Sequence, residues 1–347
     1  MALSHDQILD LVKTTQKELG KMRWTEIATD LQEYEVLSKM LKSNKVKFST
    51  GEGLQRNVMV DESGAAKHVG LYNSDDVNVG DVMQVLDVPF RHTTTNYAFD
   101  RRERAMNEGP EQIVELIKIR RADAMISLAK LLEDTFWDDH TGDNVTPFGI
   151  RYWIQGATTQ GFNGGNHTQF ASGPGNLSSV DYPRWKNYTD KFAADAVTKA
   201  GVIKKLRKAH RLTDFKSPVD IPDYRTSKGQ NYRIYMNEET ISAFEDIGEA
   251  QNENLGRDLA SMDGNISFRR NPLVYIPKLD AETNKPIYLV NWGVFSVFFL
   301  KGEHLREDGP LRVAGQHNVY QVHVDLSWNS LCVDRRRLAK LSTDGAA

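Results

Sequence analysis

Pro110-Glu-Gln-Ile-Val-Glu-Leu-Ile-Lys-Ile-Arg-Arg-Ala-Asp-Ala-Met-Ile-Ser-Leu-Ala-Lys-Leu-Leu-Glu-Asp-Thr-Phe-Trp137 is the stretch around which the rest of the chain arranges itself. Proline suits a first helical turn, where its missing N–H would lack a partner anyway. Ile113, Leu116, Ile117, Ala124, Leu128, Leu131 and Leu132 recur at helical spacing and mark a buried side. Arg120, Arg121, Lys130 and Glu133 mark the wet one. At 1.5 Å per residue the helix is about 40 Å long, about twice the usual length. A helix of that length sets the long dimension of a domain.

Ahead of it, Ser49 to Asp87 reads as strands. Val58-Met-Val60, His68-Val-Gly-Leu-Tyr72 and Val82-Met-Gln-Val-Leu86 are separated by the turn clusters Asp61-Glu-Ser-Gly64 and Asn73-Ser-Asp-Asp76. A long hairpin with few large apolar residues is marginal by itself, so it must rest on a neighbour, in this chain or in another. Val85 to Val88, Phe90 and Tyr97 lead the chain back to the main body. Further ahead, Ser4 to Lys42 reads as charged helices with a narrow apolar stripe and little core of their own.

After the long helix, Thr141 to Ser179 is loop-rich, with turn clusters at Gly161 to Asn166 and Ser172 to Gly175 and a short strand expected over Gly149 to Ile154. Asp181-Tyr-Pro-Arg-Trp-Lys-Asn-Tyr188 is an aromatic cluster ahead of a basic helix from Ala193 to Leu212. Tyr232 to Tyr235, Ile266 to Phe268, Leu273 to Ile276, Ile287 to Val290 and Val294 to Leu300 read as strands, with Asn237 capping a helix that ends near Ala250. Together they predict an α/β lobe with its own core. Val319 to Trp328 and Ser330 to Val333 close the chain as a long alternating strand that must pack on the long helix or a nearby sheet.

Bulk properties exclude several classes. A 347-residue chain with 39% hydrophobic and 26% charged residues is globular in balance, and long enough for two or three lobes. The net charge of −3 carries no broad cationic field for sequence-specific DNA binding. A single cysteine rules out an internal disulfide. The first 20 residues do not form the basic flank and apolar core of a signal peptide. The most apolar run, Val294 to Leu300, is far short of the roughly 20 residues that span a bilayer.

No local chemistry stands out. Gly161 to Asn166 lacks the Lys-Ser/Thr of a phosphate loop and is a turn. Asp138, Asp139 and Asp143, with His140, offer ligands for a divalent cation, but read first as the polar end of the long helix running into the Gly142 turn. Cys332 near His323 and Asp325 is a small core residue before it is a nucleophile. Arg335-Arg-Arg337 reads as a salt-bridged chain end. The run Lys204 to Arg211 is a solvated face, a partner for acids on a neighbour or a phosphate contact, and the aromatics of Tyr182 to Tyr188 are a loop anchor or a stacking surface. The expectation is therefore no catalytic residue, no cofactor and no resident metal. The alternatives are a soluble α/β hydrolase with an acidic metal site at Asp138, Asp139 and His140, and a nucleic-acid-binding protein using the Lys204 to Arg211 helix.

The order of parts, with Tyr182-Pro-Arg-Trp-Lys-Asn187 after a Gly-rich loop and the ending Asp325-Leu-Ser-Trp-Asn-Ser-Leu-Cys-Val-Asp-Arg-Arg-Arg337, resembles the major capsid proteins of tailed bacteriophages. That resemblance implies an α+β, Hong Kong 97-like capsid fold. Its parts would be an N-terminal helical arm (1–48), an extended β-hairpin E-loop with its return (49–100), a peripheral domain with spine helix 110–137 and a loop region (101–192), an α/β axial domain (193–315), and a C-terminal strand of the peripheral domain (316–347). It implies self-assembly into an icosahedral shell in the host bacterial cytoplasm, with the protein residing in the virion. The partners implied are identical subunits in hexamers and pentamers, a portal protein, a separate scaffolding protein (only Met1 to Phe48 precede the excursion), room for a decoration protein, and packaged double-stranded DNA met by weak non-specific contact, with no membrane. Assembly contacts are expected at Gly53, Arg56, Lys67 and Tyr72 in the excursion, at Arg101, Arg102 and Arg104, and at Tyr182 and Trp185. Lys67 is the only lysine of the excursion, and no residue stands out as its crosslinking partner.

Overall fold

The computed structural model describes residues 47–71, 82–106, 110–192, 199–215, 231–249 and 267–343. The helices expected over Ser4 to Lys42, and Tyr72, lie outside the described residues. In chain order the strands and helices are β1 (Lys47–Ser49), β2 (Gly53–Met59), β3 (Met83–Pro89), β4 (Arg91–Asp100), α1 (Arg101–Met106), α2 (Pro110–Trp137), α3 (Ile150–Trp153), β5 (Gly161–Gly164), β6 (Asn187–Lys191), α4 (Lys204–Thr213), β7 (Tyr232–Met236) and α5 (Glu238–Glu249). They continue as β8 (Ser267–Phe268), β9 (Asn271–Tyr275), β10 (Ile287–Asn291), β11 (Phe295–Leu300), β12 (Arg306–Arg312), β13 (Val319–Cys332) and β14 (Ala339–Ser342).

The chain divides into two units. The first takes residues 1–48, 91–134 and 299–328, and the second takes 49–90, 135–298 and 329–347. In the first, β13 pairs antiparallel with β4 from Val319↔Asp100 to Trp328↔Arg91, and β12 pairs with β13 from Arg306↔Asp325 to Arg312↔Tyr320. Tyr97, Val322 and Val324 meet Ala124 of α2, with Phe99, Ile117, Met125 and Leu305 packed around them. The alternating strand thus does pack on the long helix. Arg120 is not on the wet side. Its guanidinium bridges Glu103 of α1 at 2.8 and 2.9 Å and donates to the Ala98 carbonyl. Leu131 is half exposed while Glu133 is buried, the reverse of the expected sides. Towards its end α2 turns its buried side to Phe136 and Trp137, which are fully enclosed, and Glu133 lies on the Trp137 side.

The second unit is built on a seven-stranded sheet in the order β5-β6-β14-β10-β7-β9-β8. β10 pairs antiparallel with β14 and β7, while β14 pairs parallel with β6 and β7 parallel with β9. On one face Ile234, Met236, Ile287 and Leu289 pack with Val202, Leu206, Ala209 and Phe244 from the helical side. On the other, Tyr235 lies 4.9 Å and Tyr288 6.4 Å from Trp137, ring to ring. The central strands are covered on both faces, which is why β10 reads as a continuous apolar run. Asn237 caps α5 as expected, its side-chain oxygen accepting from the Thr240 amide at 3.3 Å.

Three local expectations change. Gly149 to Ile154 is no strand: Ile150–Trp153 forms one helical turn, closed by the Ile154 N–H on the Ile150 carbonyl at 2.9 Å. A Cβ on Gly149 would lie 2.5 Å from the Phe136 carbonyl oxygen, so the chain turns there against the end of α2 and buries Ile150, Tyr152 and Trp153 together. His68 to Leu71 is exposed and irregular rather than strand. The glycine cluster at Gly161, read as a turn, supplies edge strand β5.

Candidate assembly surface

β2 and β3 pair antiparallel in register from Gly53↔Pro89 to Met59↔Met83. Side chains alternate across the ribbon, so each strand offers one set to each face. Leu54, Val58, Leu86 and Val88 point inward and are buried. Leu86 closes on Gly175, where a Cβ would sit 2.6 Å from its methyl carbon. Gly175 also has φ +70°, so this seat suits glycine alone. The Gly175 amide donates to the Tyr152 hydroxyl at 2.9 Å, which holds the seat in place.

The outer face is different. Met59 and Met83 stand directly opposite each other, 49% exposed each, and Val85 is 50% exposed opposite Asn57. Beyond them Val69 and Leu71 are more exposed still, at 60% and 90%. A ribbon with one face seated and an apolar stripe left on the other is suited to lie on another surface. Arg184 ties the base of the tip, 2.8 Å from Glu62 and 3.9 Å from Asp61.

The expected contact residues divide between surface and interior. Gly53 opens β2 opposite Pro89, Arg56 is exposed opposite Leu86, and Lys67 lies in the exposed tip. Arg101 and Arg102 are exposed at the start of α1, their amides bound to the Asn318 carbonyl and the Asp100 carboxylate. Arg104 lies in α1, its side chain outside the described set. Tyr182 is half-buried, and its amide donates to Ser178. Trp185 faces inward: it is buried, and its indole N–H donates to the Pro174 carbonyl at 3.0 Å. Tyr188 is buried too. These two aromatics are the loop anchors that the sequence suggested.

What holds that loop is Arg335, which the sequence reading placed in a salt-bridged chain end. Only its neighbours fit that picture: Arg336 pairs with Asp334 at 3.1 Å, and Arg337 lies 3.5 Å from it. Arg335 is fully buried, and its guanidinium donates to the carbonyls of Trp153, Trp185 and Gly165 at 2.7–2.8 Å. Gly164 and the Asn187 side chain complete the cage at 3.3 and 3.2 Å. Burial without a carboxylate in the cage pulls its pKa down to about 10. Five acceptors from three chain segments explain why arginine stands here.

The acidic cluster does not converge. Asp138 pairs with Lys278 at 3.2 Å, whereas Asp139 accepts from buried His167 at 2.8 Å, and that bond holds its carboxyl below the usual range. The His140 ring receives the Gly142 amide at 2.9 Å and lies 3.0 Å from the Thr146 carbonyl. Asp143 accepts from Thr141, Val145 and Thr146, which push its carboxyl well down. Among the described residues no three of His, Cys, Asp or Glu are grouped to hold a metal. Cys332 is fully buried, and burial drives its thiol far above the normal value.

No family model matches the chain, and no curated protein matches it. Solved structures do. A cyanophage A-1(L) capsid subunit aligns over 95% of this chain and 98% of its own length, with a TM-score of 0.64 at 15% identity. The capsid of a native GTA particle aligns over 95% and 96%, at 0.56 and 14% identity. The holo-SrpI encapsulin of Synechococcus elongatus PCC 7942 aligns over 100% and 98%, at 0.53 and 13% identity. The chain therefore has the mixed α/β fold of phage capsid proteins, a fold that the encapsulin shares.

Proposed function

We propose that this chain is the major capsid protein of a tailed bacteriophage, a structural subunit that assembles into an icosahedral head around double-stranded DNA. The observation that carries the reading is the hairpin. On a chain that follows capsid subunits along nearly its whole length, one ribbon is seated inside and leaves the stripe Met59, Met83 and Val85 outside. Apolar surface of this kind is stabilised by burial between copies.

The division proposed from the sequence goes with it: arm 1–48, E-loop 49–100, peripheral domain 101–192, axial domain 193–315 and C-terminal strand 316–347. So do hexamers and pentamers of identical subunits, a portal, a separate scaffolding protein, room for a decoration protein, and assembly in the host bacterial cytoplasm ahead of residence in the virion. Within the hairpin, Gly53, Arg56, Lys67 and Tyr72 belong to the contact region. Arg101, Arg102, Arg104 and Tyr182 flank it in the same proposal, and Trp185 supports it from inside.

Electron microscopy of the purified protein, alone and with its scaffold, tests the reading. Closed shells, tubes or hexameric rings are expected. The double substitution M83E/V85E leaves the subunit soluble and folded, within about 0.5 kcal/mol of the parent, because both sites are at the surface. It abolishes assembly. Shells formed by this variant, or a parent that stays a small oligomer with scaffold present, would overturn the proposal.

A further inference from the structure

Helix α4 concentrates charge in a chain whose net charge is −3. It carries Lys204, Lys205, Arg207, Lys208 and Arg211 and no acid. Its inner side is apolar: Leu206 and Ala209 are buried in the core of the seven-stranded sheet. Lys204, Arg207, Lys208 and Arg211 are exposed, and their spacing of three and four residues sets them on one side. Lys205 is turned away to buried Asp190, 3.7 Å distant, and to the Lys191 carbonyl. Lys208 reaches the Gln160 side chain at 3.0 Å, a neutral partner, and no acid among the described residues pairs with it. Exposed Lys191 extends the patch at the end of β6.

We propose that this face of α4 binds the phosphate backbone of double-stranded DNA. A protein partner is anchored mainly by buried aromatic or aliphatic groups, and among the described residues of the helix Leu212, at its far end, is the one exposed large apolar side chain. A phosphate backbone asks for cations and spacing alone. The seven steps from Lys204 to Arg211 rise about 10 Å, along which a duplex presents on the order of six charges. Four cations on one helix give contact that is weak, independent of base sequence and easily screened by salt. The proposal rests on the shell reading only for the reason that DNA is the anion met, since binding by the subunit needs no assembly.

The test uses the full-length subunit and a short fluorescent DNA duplex, with anisotropy read as salt rises from about 50 to about 200 mM. Four phosphate contacts give a log–log slope of about −3.6. The variant K204Q/R207Q/K208Q/R211Q binds at least tenfold more weakly at low salt and has a slope near zero. Should that variant misfold, K204Q and R211Q alone each flatten the slope by about 0.9, and K204R restores it. A parent slope near zero, or variants that bind as the parent does, overturns the proposal. So does a polyglutamate peptide of equal charge that binds more tightly than the duplex, because the face would then be a protein-docking surface. Microscopy of the folded variant separates the two readings. Shells that form but no longer bind DNA support this site and leave the shell intact, whereas loss of shells makes the face a subunit interface and overturns the DNA assignment.

Discussion

The hairpin β2–β3 and the seven-stranded sheet belong to the same unit and are both paired ladders, yet the described residues cover the central strands of the sheet on both faces and the hairpin on one. Strand β10 has helices against Ile287 and Leu289 on one face and Trp137 against Tyr288 on the other. The hairpin has Gly175 under Leu86 on its inner face, and Met59, Met83 and Val85 in the open on its outer one. Backbone pairing is therefore not what separates a core from an exposed apolar face. The difference lies in which faces the rest of the chain can reach. On the proposed reading, the surface left for contact with other copies lies on a ribbon whose loss of contact would leave the main sheet intact.

The sharpest way to break this contrast is at Arg335. Replacing it with lysine leaves an ammonium with three donors where a planar fork serves five acceptors, and several buried carbonyls lose their partners. The expected loss is about 3 kcal/mol or more, read as the urea midpoint of the subunit, with the loop of Tyr182 to Tyr188 released. A midpoint close to the parent's would show that the cage is dispensable to the finished region.

Leu86→Ala comes next, at about 2–4 kcal/mol for an enclosed leucine. The cost should be local. Amide exchange is expected to quicken across Gly53–Met59 and Met83–Pro89 while Ile287–Asn291 keeps its protection. Exchange that quickens equally in both would mean that the ribbon and the sheet form one cooperative block. The smallest effect belongs to Arg184→Ala, which removes a half-exposed ion pair to Glu62. It should change stability by no more than about 0.5 kcal/mol, and the change should vanish in high salt. A larger effect would make the tip a fixed part of the unit.

Much of this was legible along the chain. The bounds of α2 follow from Pro110 and the apolar spacing up to Trp137, and the hairpin, α5 with its Asn237 cap, and the strands of the lobe stand close to where the sequence puts them. The exposed apolar stripe was half legible. Alternation in Val58-Met-Val60 and Val82-Met-Gln-Val-Leu86 places apolar residues on both faces, but alternation alone does not say that the face of Met59, Met83 and Val85 is the exposed one. Arg335 gave no signal, because its partners are backbone carbonyls, and these look the same at every residue.

Local periodicity, caps and turn residues act within a few positions, so the sequence by itself determined which segments are helix or strand and that one long ribbon lacks a core of its own. Burial is decided between residues far apart in the chain, by which side chains can reach one another. Only the tertiary structure therefore decided that Leu86 faces Gly175, that Glu133 is enclosed and Leu131 is not, and that one arginine of three is held wholly inside.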